Sequence, residues 1–121
     1  MYKNILIIDD DKGLLKLLST SLTTNGFKIS TAENGEAGLE AAKRDRPDLI
    51  ILDVLMPGIK GREVCARLKS EEATKDIPVI FLTSKKSQDD IKAEMELGAL
   101  THFTKPVDSK KLLKELKKIL S

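Results

Sequence analysis

The chain has 121 residues, of which 33% are charged and 40% hydrophobic, and this length suits one domain rather than two. Its 21 basic and 19 acidic residues give a net charge of +2, which is too balanced to indicate a nucleic-acid binder. One cysteine excludes an internal disulfide, and no apolar run approaches the ~20 residues that a membrane-spanning helix needs. We therefore expect a single cytoplasmic domain over residues 1–121, complete at both ends.

Five short runs of mostly apolar residues recur along the chain, and each predicts a strand. They lie at residues 5–8, 27–31, 49–52, 79–82 and 101–104. The first, third and fourth runs are continuously apolar and mostly branched. This pattern is typical of parallel strands that helices cover on both faces.

The stretches between and after these runs carry apolar residues at helical spacing, so we predict five helices. Their apolar stripes contain Leu14, Leu15, Leu18 and Leu22; Leu39, Ala41 and Ala42; Val64, Cys65 and Leu68; Ile91 and Met95; and Leu112, Leu113, Leu116, Ile119 and Leu120. Strand and helix thus alternate five times, which predicts an α/β fold with a parallel sheet and right-handed crossovers. The pattern alone does not determine the order of the strands. The lysines of the last helix are expected to form a solvated face.

Acidic and polar residues follow the predicted strands, at the edge where parallel sheets bind their ligands. Residues 9–11 are three aspartates after the first strand, and Asp53 follows the third, while Thr83 and Lys105 end the fourth and fifth. Two carboxylates at ~4 Å repel by about 4 kcal/mol at an effective dielectric of 20, so such a cluster needs a cation, or some of its acids must stay protonated. An all-oxygen ligand set favours Mg²⁺, and together with a carboxylate nucleophile and a lysine it indicates phosphoryl transfer to an aspartate.

Several motifs, in order along the chain, resemble one known family. They are ILIIDDD near the start, AENGEAGLE, PDLIILDVLMPGIKG around the third strand, IPVIFLTS, LGA, and FTKP before the last helix. Together they resemble the receiver domain of two-component response regulators, from Lys3 to the end of the chain. The resemblance implies a doubly wound (βα)5, flavodoxin-like three-layer sandwich with a parallel five-stranded sheet of order 2-1-3-4-5.

The resemblance implies a phosphoryl-transfer role for three residues. Asp53 is expected to be the phosphoacceptor, which attacks the phosphohistidine of a sensor histidine kinase or a small phosphodonor. Lys105 is expected to pair with the phosphoryl oxygens, and its peptide bond to Pro106 is expected to be cis. Thr83 is expected to turn its hydroxyl to the phosphoryl group once it is in place.

The resemblance also implies a metal site. Asp10 and Asp53 are expected to bind Mg²⁺, with Mn²⁺ as a possible substitute, and the backbone carbonyl of Leu55 is the expected third ligand. Asp9 is expected to act through a water molecule. Asp11 is predicted to cap the first helix instead, since aspartate favours that position.

Three further positions need comment: one departs from the family pattern, and two lie where the family adjusts the rate of dephosphorylation. His102 stands where the family usually carries tyrosine or phenylalanine, so we predict that it is the switch side chain that moves inward when Thr83 shifts. Its titration near pH ~6.5 would then make the output depend on pH. The alternative is a half-exposed strand residue with a local hydrogen bond. Leu55 and Lys85 lie where the family tunes dephosphorylation, and we predict a slowly decaying phosphoform. The alternative is that both are solvent-facing loop residues without consequence.

The expected partners are a histidine kinase or phosphotransfer protein and a downstream target on helix four, strand five and helix five. If the chain is a piece of a longer regulator, an effector domain in cis takes the place of the target. Direct binding to nucleic acid or membrane is not expected. Three alternatives are a dehalogenase-type phosphohydrolase, which lacks room for a cap domain, a nucleotide or flavin module, which lacks a glycine-rich loop, and a receiver-like scaffold without phosphorylation.

Overall fold

The computed structural model of the chain describes residues 2–56, 58–84 and 88–121. Within those ranges five strands and five helices alternate. In chain order they are β1 (Asn4–Ile8), α1 (Lys12–Thr24), β2 (Lys28–Ala32), α2 (Gly35–Asp45), β3 (Leu49–Asp53), α3 (Gly61–Ser70), β4 (Val79–Thr83), α4 (Gln88–Glu96), β5 (Thr101–Thr104) and α5 (Ser109–Leu120). None of the described helices is both long and apolar enough to cross a membrane.

The strands form one parallel sheet in the order β2-β1-β3-β4-β5, which confirms the predicted fold class and strand order. Helices cover the sheet on both sides. Leu18 of α1 and Leu112 of α5 pack on one face, and Leu39 of α2 and Val64 of α3 pack on the other. The central strands β1, β3 and β4 are buried throughout or nearly so, as their continuous apolar runs predict.

Side-chain caps fix where three helices begin. The carboxylate of Asp11 accepts a hydrogen bond from the Leu14 N–H, which confirms its predicted role at the start of α1. The side chains of Asn34 and Asp108 cap α2 and α5 in the same way. Each cap satisfies backbone donors that the first turn of a helix leaves without partners.

The predicted apolar stripe of α4 is only half right. Ile91 is partly buried, but Met95 is 37% exposed, and the fully buried residue of this helix is Glu94. Successive helical residues are rotated by roughly 100°, so a face that contains Ile91 and Leu97 runs through position 94 rather than 95. A charged side chain therefore lies at the centre of the buried face of α4.

The path of α3 brings its first residue against the end of β3. A side-chain carbon at Gly61 would overlap the backbone oxygen of Asp53 and lie 2.7 Å from the Cα of Val54. The Gly61 N–H also donates a hydrogen bond to the Val54 carbonyl at 3.0 Å. Glycine at this position lets the helix approach closely and holds the loop that begins at Asp53.

Candidate functional site

Three carboxylates meet at the carboxyl edge of the sheet. Asp9 and Asp10 follow β1, and Asp53 is the last residue of β3. One oxygen from each lies within 4.8 Å of the others. Asp9 and Asp53 are buried, whereas Asp10 is exposed. The structure thus brings together the acids predicted from the strand ends.

Among the described residues, Lys105 is the positively charged side chain that contacts this cluster. Its Nζ lies 3.0 Å from Asp9 Oδ2 and 3.4 Å from Asp53 Oδ1. The Asp9 contact is an ion pair without hydrogen-bond geometry, and Asp9 Oδ2 has no other partner in the described part of the chain. The Lys105 backbone N–H donates to the Thr83 carbonyl at 2.8 Å, which ties the end of β5 to that of β4. The bond from Lys105 to Pro106 is cis, as predicted.

The protonation of Asp53 reflects its neighbours. Burial and the charge of Asp9 raise the pKa of Asp53 to about 6, although Lys105 and the Leu55 N–H oppose this shift. Burial on its own would lower the pKa of Lys105, but Asp9 and Asp53 outweigh it and the net pKa is raised. One positive charge between two buried carboxylates leaves an excess of negative charge at the site.

This excess fits a divalent cation. The donor set consists of carboxylate oxygens, with neither histidine nor cysteine among the three clustered groups, and hard cations prefer such oxygen ligands. The buried Asp9 Oδ2, paired only with Lys105, is a second sign that the cluster lacks positive charge. The geometry is therefore consistent with a divalent metal site.

Thr83 and His102 lie on β4 and β5, on the side of the sheet beyond β3 and Asp53. Thr83 is the fully buried last residue of β4, and His102 is partly buried on β5. His102 is in register with Phe81, so Phe81, Thr83 and His102 share the face of the sheet that α2 and α3 cover. Lys85, predicted to tune the phosphoform, lies outside the described residues.

Comparison with known proteins decides the family. Residues 5–117 match the family described as the response regulator receiver domain. The chain belongs to this family. In sequence the receiver is 41% identical over 108 residues to the response regulator PleD of Caulobacter vibrioides. The aligned residues make up 89% of this chain and 24% of PleD. It is also 37% identical over 120 residues to the alkaline phosphatase synthesis transcriptional regulatory protein PhoP of Bacillus subtilis. That alignment includes 99% of this chain and 49% of PhoP.

In structure the receiver is similar to the chemotaxis protein CheY4 of Vibrio cholerae, with a TM-score of 0.92 and 28% identity over 98% of this chain and 99% of that chain. It also resembles the receiver domain of RstA from Klebsiella pneumoniae, with a TM-score of 0.89 and 26% identity over 97% of each chain. The receiver spans only 24% and 49% of the two curated relatives above.

Membership of this family establishes the kind of chemistry. The chain is a phosphoaccepting module of two-component signalling rather than an enzyme, and its acidic cluster is the phosphorylation site. A receiver domain implies a histidine kinase as its partner.

Sequence reasoning missed a second charged group in the receiver, on the α4 side of Thr83. Arg62 of α3 lies 3.4 Å from Asp90 and 3.7 Å from Glu94, and the Glu94 side chain is fully buried. The signal for Glu94 was present, because it is three residues after Ile91 and three before Leu97. No comparable signal indicates that Arg62 of a different helix points toward it.

Proposed function

We propose that Asp53 is the phosphoacceptor of this receiver and takes its phosphoryl group from the phosphohistidine of a histidine kinase, a phosphotransfer protein or a small phosphodonor. A carboxylate oxygen of Asp53 bonds to phosphorus as the bond between phosphorus and the donor breaks, and the donor's leaving group takes up a proton. The observation that carries the proposal is the pair of buried carboxylates, Asp9 and Asp53, joined by the ammonium group of Lys105. Asp53 accepts the Leu55 N–H at 3.2 Å, which orients its carboxylate.

Lys105 is proposed to pair with the phosphoryl oxygens, since its Nζ already lies 3.4 Å from Oδ1 of Asp53, the carboxylate that attacks phosphorus. Asp10, Asp53 and the backbone carbonyl of Leu55 are proposed to hold Mg²⁺, which Mn²⁺ can replace, with Asp9 acting through a water molecule. When bound, the ion supplies positive charge that offsets the charge on the transferring oxygens. The protein's own part is to align donor and Asp53 and to hold Lys105 in place.

Thr83 and His102 are proposed to carry the signal from the site to the surface. The Thr83 hydroxyl turns toward the phosphoryl group, and His102, on the same face, moves into the space it leaves. The partner surface consists of α4, β5 and α5. The last of these has five exposed lysines, which favour an acidic partner: Lys110, Lys111, Lys114, Lys117 and Lys118. The proposed location is the cytoplasm, where a kinase and a target, or an effector domain in cis, are available.

Leu55 and Lys85 are proposed to slow the loss of the phosphoryl group. The Leu55 side chain is 46% exposed two residues after Asp53, where it can hinder an attacking water molecule. We expect the phosphorylated Leu55→Asn variant to lose its phosphoryl group several-fold faster than wild type, as followed by intact mass over time. A half-life in the variant equal to or longer than that of wild type would contradict this role.

The test of the phosphoacceptor is intact mass after incubation with acetyl phosphate, with and without Mg²⁺. Wild type should gain one phosphoryl group only with Mg²⁺, and Asp53→Asn should gain none. Asp76→Asn is the matched control, because Asp76 is exposed and precedes β4, at the opposite edge of the sheet. A gain that persists in Asp53→Asn would refute the assignment. A gain in no variant would indicate a receiver-like scaffold or a site that only a kinase can phosphorylate, and the claim would shrink to the fold.

A further inference from the structure

The most buried residue of α4 is a glutamate. Glu94 has a relative exposure of 0%, and it is the residue of this helix that is fully buried. Its neighbours on the same face, Ile91 and Leu97, are only partly buried. Charged side chains are almost never fully buried unless they are paired, so a carboxylate at this position calls for a partner.

The partners that the described residues provide for Glu94 are weak. Neither carboxylate oxygen accepts a well-formed hydrogen bond there, and the nearest cation, Arg62 Nη2, lies 3.7 Å away. Arg62 is shared with Asp90 at 3.4 Å, whose own negative charge opposes ionisation of Glu94. Burial raises the pKa of Glu94, although Arg62 lowers it. The carboxylate therefore has room for a hydrogen-bond donor that it lacks.

His102 and Thr83 are the groups of the sheet that face this carboxylate. Both lie on the face of the sheet beneath the α2, α3 and α4 layer. The positive charge that His102 carries when protonated and the dipole of the Thr83 hydroxyl both favour the ionised form of Glu94 and oppose the rise of its pKa. Glu94 thus adjoins the two side chains to which the switch is assigned above.

We propose that Glu94 is a positioning residue of the switch, which accepts a hydrogen bond from the His102 imidazole when the ring turns inward in the phosphorylated receiver. This inference rests on the proposed roles of Asp53, Thr83 and His102. When the Thr83 hydroxyl turns toward the phosphoryl group, Glu94 loses the stabilisation that this hydroxyl supplies. An imidazole N–H of His102, on the face of the sheet beneath α4, can replace it, and a hydrogen bond to a charged acceptor is stronger than one between neutral groups.

The pairing makes the switch depend on pH. Protonation gives an imidazole a second N–H donor and a positive charge, so the protonated ring is the better partner for a carboxylate. Among the residues that the structure describes, the groups that face Glu94 are Arg62 on α3, Asp90 on α4, Thr83 on β4 and His102 on β5. Of these, histidine is the type that titrates between pH ~6 and ~8. The phosphorylated conformation should therefore be favoured as the pH falls through this range.

The single histidine of the chain permits a direct test. The ring of His102 is titrated by NMR in the full chain, without ligand and with Mg²⁺ and beryllofluoride as a mimic of the phosphoryl group. In wild type, the mimic should move the titration midpoint of His102 to higher pH by about one unit, a tenfold preference for the protonated ring. Glu94→Gln should lose this movement. Glu96→Gln, which alters an exposed carboxylate of the same helix, should keep it.

Each outcome supports or refutes the pairing of Glu94 with His102. Equal movement in Glu94→Gln and wild type, or no movement in wild type, overturns the pairing and leaves Glu94 as an anchor for Arg62. Intact mass after treatment with acetyl phosphate is measured on the same samples. If wild type is phosphorylated normally but the titration midpoint of His102 does not move, this inference alone is wrong. If wild type gains no phosphoryl group, the proposed function and this inference are both wrong. Glu94→Ala provides a second variant if Glu94→Gln does not fold.

Discussion

Replacement of Asp53 by asparagine is expected to stabilise the metal-free receiver near neutral pH, although it removes the proposed phosphoacceptor. Burial and the charge of Asp9 raise the pKa of Asp53 from 3.8 to about 6. The folded protein therefore retains a proton on Asp53 that the unfolded chain has already released. The resulting loss of stability is absent at low pH, grows as the pH rises from 3.8 to about 6, and is complete above that range.

The size of the effect follows from the pKa. A rise of about two units corresponds to about 3 kcal/mol of unfolding free energy, and this figure already includes the opposing attraction of Lys105. An unfolding entropy of ~2.1 cal/mol/K per residue gives about 0.25 kcal/mol/K for 121 residues. Asp53→Asn should thus raise Tm by roughly 10 °C above pH ~7 and by almost nothing at pH ~4. Asparagine keeps an oxygen that can accept the Leu55 N–H.

The assay is thermal unfolding by circular dichroism in a metal chelator, at both pH values, with Asp76→Asn as the control. Mg²⁺ at ~100 times its Kd adds about 2.7 kcal/mol to the stability of a protein that binds it only when folded. Addition of Mg²⁺ should therefore close most of the gap between wild type and Asp53→Asn. The reasoning fails if Asp53→Asn melts at or below wild type near neutral pH, or if its gain is the same at both pH values.

Three further predictions concern stability and use the same assay. Lys105→Met should cost about 1–3 kcal/mol near neutral pH because it leaves two buried carboxylates without their cation, and Mg²⁺ should restore part of the loss; no loss would contradict the ion pairs. Gly61→Ala should cost about 1–3 kcal/mol through overlap with the end of β3, whereas Gly13→Ala, whose methyl meets one oxygen at 3.3 Å, serves as the mild control. At pH values above neutral, Glu94→Gln should raise Tm, because the raised pKa of the buried glutamate makes its ionised form costly to the folded state. This gain should vanish near pH ~4, where the carboxyl group is protonated in the folded protein. Glu96→Gln should show neither effect.

The fold could be predicted from the chain because its core strands are apolar on both faces. Residues 49–52 and 79–82 are continuous runs, and each became a buried strand with one residue added. Pattern did not supply the order of the strands, since each run fits equally well next to any other. That order came from the resemblance to the receiver family, and the observed pairing of the strands confirms it.

The site could be predicted in part because parallel strands end at one edge of the sheet. This rule brings Asp9, Asp53 and Lys105 together without any knowledge of contacts. The rule does not say which aspartate of the run 9–11 is buried. Asp9 is buried because it follows the buried Ile8 directly and its N–H continues the ladder to the Ala32 carbonyl, whereas Asp10 and Asp11 have left the sheet and are exposed.

Glu94 shows where pattern reasoning failed and what the failure means. A glutamate in a predicted helix is assigned to solvent by default, because charged residues rarely occupy buried positions. Its burial costs stability, and this cost rises with pH as the carboxylate ionises. A costly residue at the centre of a helix face, next to the proposed switch, is the kind of local inconsistency expected at functional sites.

The two buried acids on either side of Thr83 belong to one electrostatic arrangement. Asp53 is on the neighbouring strand, in register with Leu82, and Glu94 reaches Thr83 from α4. Both carboxyl groups have a raised pKa, chiefly through burial, and the largest opposing charge is that of Lys105 for Asp53 and that of Arg62 for Glu94. On the proposed assignments, phosphorylation of Asp53 adds negative charge on that side only, and the Thr83 hydroxyl turns away from Glu94. The proposed hydrogen bond from His102 on β5 would then give the Glu94 carboxylate a donor and link the chemistry at Asp53 to the surface formed by α4 and β5.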